Sequence, residues 1–220
     1  RVRDCFVRLD ADGLGSEQHV SHATIVDAIR RLPALEPGTG YSYSNSNYVL
    51  LAEVVEHVSG VPFPRFVEER IFGPAGLDMA VAPASGHPDI ARSYDADLEL
   101  EQPVWTAHGH TGVITTPSEL ARWGDAYRSG GIVQGDFASG AVDAGDGDRY
   151  AAGIRIEADG GLAHLGRWGG HTTFFAVSAD RRTTIAVACN GAGADRFGVA
   201  DALDGIWDGT SDPGATASRR

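Results

Sequence analysis

The 220-residue chain contains no lysine; all 18 of its basic residues are arginine, set against 30 acidic ones for a formal net charge of −12. A surface of that sign without a basic stripe argues against a nucleic-acid partner and against an anionic membrane surface. No apolar run approaches the roughly 18 residues that a helical membrane span requires. The opening stretch RVRDCFVRLD lacks the apolar segment and small-residue cleavage site of a signal peptide, and it lacks an initiating Met, so Arg1 need not be the natural start. No glycine run follows a strand and opens a helix, which excludes P-loop and Rossmann nucleotide sites. Cysteine is scarce: Cys5 and Cys189 fit no metal or redox spacing, and two unpaired, mostly buried thiols are favoured over a disulfide.

What remains is an ordinary soluble composition, 42% hydrophobic and 22% charged, in a length suited to one domain or one domain in two lobes. TIVDAIRRL repeats apolar residues at helical spacing, with Thr24 and Asp27 able to cap its start and Pro33 to end it. NYVLLAEVVEHVSG reads as a helix with Val49, Leu50, Val54 and Val58 on one face and Gly60 as its C′ residue. PRFVEERIF follows as a second helix, with Pro64 in the first turn and Gly73 and Pro74 as its stop. Residues 75–110 read as irregular. TTPSELARWGDAYRSGG opens on a capping box, Thr116 to Glu119 with Pro117 between, and is predicted to run as one helix to Gly130 and Gly131.

Residues 135–148 are rich in Gly, Ala and Asp and read as a surface loop, with an aspartate spacing unlike that of an EF-hand. Beyond them the period changes to two. YAAGIRIEADGGLAHLG is predicted to be a hairpin turning at Asp159 to Gly161, and TTFFAVSADRRTTIAVACN another turning at Ala179 to Arg182. DRFGVADALDGIW closes the domain as an amphipathic helix, and TSDPGATASRR reads as a disordered tail. Helices first and antiparallel strands later make an α+β pattern, not an alternating βαβ one. The expected organisation is one domain over 1–208, mostly helical over 1–130 and strands plus a closing helix over 148–208, with a tail over 209–220.

The stretch PGTGYSYSNSNYVLL places Tyr43 and Asn45 one residue apart where a turn enters a helix. Turn and cap chemistry is one reading. An active site is the other. A phenol is a poor base near neutral pH unless a cation favours the phenolate, in which case it can take the proton of a serine attacking a carbonyl. Such a site also needs backbone N–H groups aimed at the developing oxyanion. HLGRWGGHTTF offers part of one: His164 as a proton donor or switchable charge, Gly166 for close approach of a substrate carbonyl, and the Arg167 N–H for the oxyanion. Trp168 either lines the cleft or packs on the sheet. Ser42, Ser44 and Ser46 have no lysine or strained elbow around them and are poor nucleophile candidates. His108 and His110 suggest a zinc pair, but no third ligand is evident in sequence.

With these residues quoted, the chain resembles the serine β-lactamase-related family, which includes class C β-lactamases, DD-carboxypeptidases, and related esterases and aminopeptidases. PGTGYSYSNSNYVLLAEVVEHVSG is similar to its Tyr-x-Asn motif and the following helix, PAGL to its PLGM turn, GHTGVITTPSELARW to its Gly-Gly and Thr-x-x-Asp-Leu helix start, and HLGRWGGH to its Lys/His-x-Gly motif. The resemblance implies a β-lactamase/transpeptidase-like fold: an antiparallel sheet flanked by helices, with a helical lobe. It also implies Tyr43 as general base, Asn45 as its companion and His164 as the third-motif residue. Gly166, Arg167 and Trp168 would be substrate-binding, and His171 structural. It implies acyl-enzyme hydrolysis of an amide, β-lactam or ester in a small molecule or peptide, with no cofactor or metal. Compartment and oligomeric state stay unread, although the family is often secreted or in the cell envelope.

The family's nucleophile lies in Ser-x-x-Lys, and without lysine that motif is absent in every register. Residues 1–36 resemble the stretch that follows the first motif, so the expectation is a chain truncated at its N-terminus, lacking the first strands and the nucleophile helix and inactive as it stands. The alternative is a pseudoenzyme that binds peptide or cell-wall ligands through the remaining cleft.

Overall fold

A computed structural model describes residues 4–5, 20–33, 36, 38, 40–81, 90–101, 108–129, 136 and 138–207. The tail over 209–220, and Gly130 and Gly131, lie outside these residues. The chain divides into two units, one formed by residues 1–91 and 102–115 and the other by 92–101 and 116–220.

In the first unit, helix α1 (His22–Arg30) starts one turn earlier than its apolar pattern suggests, because Ser21 rather than Thr24 is the N-cap, accepting from the Thr24 N–H at 3.1 Å. It buries Ile25, Val26, Ala28 and Ile29 in a cluster with Cys5, Val20 and Val49. Val49 belongs to α2 (Asn45–Ser59), which ends at Gly60 with φ of 68°, the left-handed C′ residue expected from sequence. The face that α2 buries differs from the expected one. Ser46, Val49 and Ala52 are buried, whereas Leu51, Val54 and Val58 are exposed. At about 100° per residue Val58 lies opposite Val49, so these two valines cannot share a face.

PRFVEERIF is also less regular than predicted. Helix α3 (Phe63–Val67) passes into a π-helical turn (Glu68–Phe72) and then a single turn, α4 (Gly73–Ala75). Pro74 has no N–H to continue the ladder, and the Gly73 N–H instead reaches back five residues to Glu68. Beyond it, β1 (Ala80–Val81) pairs antiparallel with β4 (Val113–Ile114).

The second unit holds a short hairpin within the stretch read as irregular: β2 (Ser93–Tyr94) pairs with β3 (Leu100–Glu101), and the Asp95 carboxylate accepts from the N–H groups of Asp97 and Glu99 in its turn. The capping-box helix is present as α5 (Pro117–Trp123), where the Thr116 hydroxyl accepts from the Glu119 N–H, but it breaks at Gly124 before a further short helix, α6 (Asp125–Ser129).

Six antiparallel strands make one sheet among the described residues: β5 (Val142–Gly145), β6 (Asp148–Ala151), β7 (Ile154–Ile156), β8 (Leu162–Trp168), β9 (His171–Val177) and β10 (Thr184–Cys189), each beside the next in sequence. β7–β8 and β9–β10 are the two predicted hairpins. β5 lies in what was read as a loop, and β6 turns into β7 through Ala152 and Gly153, both at positive φ. The departure has a physical cause: β5 and β6 are short and polar, and an alternation of Asp, Ala and Gly carries no apolar period.

Both faces of this sheet are covered. Ile154, Ile156, Leu162, Phe175 and Val177 pack with Leu120, Trp123 and Tyr127 of α5 and α6. Ala163, Phe174, Ala176 and Val187 pack with Phe197 and Ala200 of α7 (Arg196–Trp207). Successive residues such as Leu162 and Ala163, or Phe174 and Phe175, thus serve opposite cores, as period-two alternation requires.

Candidate functional site

Tyr43 is the last but one residue before α2, and Ser44 is the N-cap. The Ser44 side chain makes no capping bond, and its buried hydroxyl has no partner among the described residues. The capping acceptor comes from Asp4, whose Oδ2 accepts from the backbone N–H of Asn45 and from Asn45 Nδ2, each at 2.8 Å. A carboxylate here meets the positive end of the helix dipole as well as the unsatisfied first-turn N–H groups. Asn45 is thereby held at the helix start, and its Oδ1 accepts from the Tyr43 hydroxyl at 3.4 Å. The two residues one apart in sequence are one hydrogen-bonded pair anchored by a third, 41 positions away.

The electrostatics of this pair run against a ready base. Burial pushes the Tyr43 phenol up to about 12, and the neighbouring Tyr48, Asp4 and Tyr41 act in the same direction. Tyr43 stays 41% exposed, with its ring 5.9 Å from that of Tyr48. The acid that anchors Asn45 therefore also opposes the phenolate.

The pair His108 and His110 lies in the same unit, seated by Gly109. At φ of 95° its backbone passes so close to α2 that a Cβ would stand 2.4 Å from the Tyr48 carbonyl oxygen. His108 stacks on His22, centroids 4.2 Å apart and planes 9° from parallel, and on Phe63 at 5.5 Å. Each imidazole has its own carboxylate: His22 Nε2 lies 2.8 Å from Glu53 Oε1, and His108 Nε2 3.4 Å from Glu56 Oε1. Parallel stacked rings cannot both point their lone pairs at one ion, and among the described residues no three His, Cys, Asp or Glu side chains are grouped to hold a metal. Burial, then the His22 imidazole, hold His108 below the usual histidine range, with Glu56 acting the other way. Burial pushes His110 down to about 4, against the opposing pull of Asp4.

His164, Gly166, Arg167 and Trp168 all lie on β8, in the second unit. In the pairing with β9, His164 stands opposite Phe175, Gly166 opposite Thr173 and Trp168 opposite His171. Gly166 is where a side chain would not fit, since a Cβ there would meet the Thr173 hydroxyl. His164 Nε2 lies 3.1 Å from the Tyr150 hydroxyl of β6. Burial holds its imidazole below the usual range, while a hydrogen bond with the Leu165 backbone acts the other way. Arg167 is exposed and Trp168 half-buried. Cys5 is buried and Cys189 half-buried.

Two residues of these sites, Asp4 and Tyr150, have no sequence signal. Each acts through a contact across an intervening element, and neither sits in a motif spacing.

Comparison with known proteins gives this geometry a context. A family profile described as Beta-lactamase matches residues 6–205. A D-aminopeptidase of Cereibacter sphaeroides is 29% identical over 210 residues, 86% of this chain and 40% of that protein. The chain spans less than half the length of the first curated relatives it matches. Among solved structures, a penicillin-binding protein from Bacillus halodurans superposes with a TM-score of 0.81 at 21% identity, over 93% of this chain and 69% of that one. A D-amino acid amidase from Ochrobactrum anthropi, in complex with D-phenylalanine, gives 0.70 at 24% identity, over 88% and 70%. At such identities the structures speak for the fold, a mixed α+β arrangement shared with penicillin-binding proteins. The profile covers nearly the whole chain, and on that ground the chain belongs to the serine β-lactamase-related family of hydrolases.

Proposed function

We propose that this chain is the portion of a serine acyl-transfer hydrolase that carries the general-base pair and the third-motif strand, without the nucleophile. In this reading Tyr43 is the base, Asn45 its companion, His164 the third-motif residue, and Gly166, Arg167 and Trp168 contact substrate. The domain organisation follows the same proposal, with a mostly helical part over 1–130 and antiparallel strands plus a closing helix over 148–208. D-Amino acid amides and peptides are the favoured substrate class, because the relative aligned over most of the chain is a D-aminopeptidase.

One observation carries the claim that the 220 residues alone do not turn over substrate. Burial, Tyr48, Asp4 and Tyr41 all favour the protonated phenol of Tyr43. A base of that kind needs a cation to release its proton, and Ser-x-x-Lys, the motif that would pair such a cation with a nucleophile, has no possible register in a sequence without lysine. The same observation favours a second reading, a binding protein for peptides or cell-wall ligands that keeps the pair as a hydrogen-bonding element.

Hydrolysis of a D-amino acid p-nitroanilide and of nitrocefin by the purified chain tests both. The expected result is no turnover above background, identical in wild type and Tyr43→Phe. Turnover that Tyr43→Phe abolishes would overturn the claim of inactivity. If the chain is inert, saturable quenching of tryptophan fluorescence by D-phenylalanine, lost in Trp168→Phe, supports the binding reading.

A further inference from the structure

Strand β8 is laddered on both sides for only part of its length. Leu162 and Ala163 pair with β7, whereas from His164 to Trp168 the ladder runs to β9 alone among the described residues. The course of that stretch therefore depends on β9 and on the two-residue turn, Gly169 and Gly170, that joins the strands. Gly169 takes a φ of 55°, as the first position of a primed hairpin turn requires, and Trp168 and His171 close the ladder beside it. The Gly170 N–H finds its acceptor outside the hairpin. Ser93 Oγ, on β2, accepts from it at 2.8 Å in a buried contact between residues 77 positions apart. The two backbones also touch here, since a Cβ on Gly170 would collide with the Tyr94 carbonyl.

Ser93 is itself held in place. The Tyr94 N–H donates to the Asn190 carbonyl at 2.8 Å, the Tyr94 carbonyl accepts from the Ala192 N–H at 2.9 Å, and Asn190 Nδ2 donates to the Arg92 carbonyl at 2.9 Å. These three bonds fix residues 92–94 to the segment that leaves β10, and the Ser93 hydroxyl passes that constraint to the turn. Resting on the assignment of Gly166, Arg167 and Trp168 to the substrate site, we propose that Ser93 is a positioning residue for that site: its buried hydroxyl holds the Gly170 N–H and so sets the backbone of Arg167 and Trp168. The bond matters more than a surface one would. With the hydroxyl removed, a buried N–H loses its partner, and the turn must move to find another. Movement at Gly170 reaches Trp168 through Gly169, and no ladder to β7 resists it there.

Amide spectra and hydrogen exchange of the full 220-residue chain, labelled with ¹⁵N, test this. The Gly170 amide should be protected in the wild type. In Ser93→Ala it should exchange about 2- to 10-fold faster, the value of one net hydrogen bond. The Arg167 and Trp168 amides should shift in that variant, while the Ile154 amide on β7 stays in place. The dissociation constant for D-phenylalanine, followed on the same amides, should rise by a similar factor, and Ser93→Thr, which keeps the hydroxyl, should restore both. Unchanged Gly170 exchange in Ser93→Ala would overturn the proposal. So would Arg167 and Trp168 amides that stay still when Gly170 is released, an affinity that Ser93→Ala leaves unaltered, or a folded Ser93→Thr that restores nothing. Should neither variant fold, the wild type decides alone: a protected Gly170 amide supports the proposal and an unprotected one overturns it. The site assignment fails separately, if D-phenylalanine leaves the wild-type Arg167 and Trp168 amides unmoved. Exchange at Gly170 and the shifts in Ser93→Ala then still decide whether Ser93 sets that backbone.

Discussion

Acid should destabilise this protein through His110. Its imidazole ordinarily titrates near 6.5 and is pushed down to about 4 in the fold, chiefly because burial penalises the charged ring. The neutral form is therefore the one that folding favours. Above about pH 6.5 both folded and unfolded chains hold the ring neutral, and its contribution is complete. As pH falls below that, the unfolded chain takes up a proton that the folded chain refuses, and stability is lost until the folded ring itself titrates near 4. The gap corresponds to about 3 kcal/mol at most, of which about 2 kcal/mol separates pH 7 from pH 4.5. That is a large share of the stability of an ordinary domain. His108, held down by burial and by the stacked His22, adds a loss of the same sign. Urea unfolding followed by circular dichroism at the two pH values, for wild type and His110→Gln, isolates the His110 part. The variant should be less stable at pH 7, yet its loss on going to pH 4.5 should be smaller by about 2 kcal/mol. An equal loss in both proteins would refute the assignment of His110 as a ring buried in its neutral form.

Other consequences follow from the packing. Leu162 is fully buried in the core beneath α5 and α6, so Leu162→Ala should cost about 3 kcal/mol, read as a lowered urea midpoint with an unchanged slope. Gly109→Ala should cost at least about 2 kcal/mol, because its Cβ would strike the Tyr48 carbonyl at a backbone angle that alanine resists, and it should shift the His108 and His110 resonances together. β10 stands at the edge of its sheet among the described residues, and its sequence TIAVAC has neither charge nor proline to discourage pairing. Concentration-dependent association, measured by light scattering, should fall in Ala188→Lys, and an unchanged profile would show that this edge is not the sticking surface.

The motifs were legible where chemistry demands particular residues in order. Tyr43 and Asn45 before a helix, Thr116-Pro117 at a helix start, and His164 two residues before Gly166 on a strand are local patterns, and each lies on the element expected of it. The long strands were legible too, since Leu162–Trp168 and His171–Val177 alternate two apolar sets for two covered faces. The short ones were not. Val142–Gly145 gains its pairing from β6 rather than from any apolar period of its own, and the break at Gly124 divides a stretch whose residues on either side are good helix formers. The buried face of α2 was misjudged for a related reason. Two apolar stripes run along that helix, and only the packing of α1 against Val49 selects one of them.

By itself, then, the sequence determined the family, the order of the longer helices and strands, and the absence of Ser-x-x-Lys, because each is a matter of residue identity and spacing along the chain. Tertiary structure alone decided the state of those residues. That Asp4 rather than Ser44 caps α2 and holds Asn45, that the same carboxylate raises Tyr43, that His22 stacks on His108, and that Tyr150 reaches His164 are meetings of side chains 14 to 86 positions apart. Hydrogen bonding, desolvation and the fields of neighbouring charges act over a few ångströms in space, and no spacing in a linear sequence encodes which distant residues come within that range.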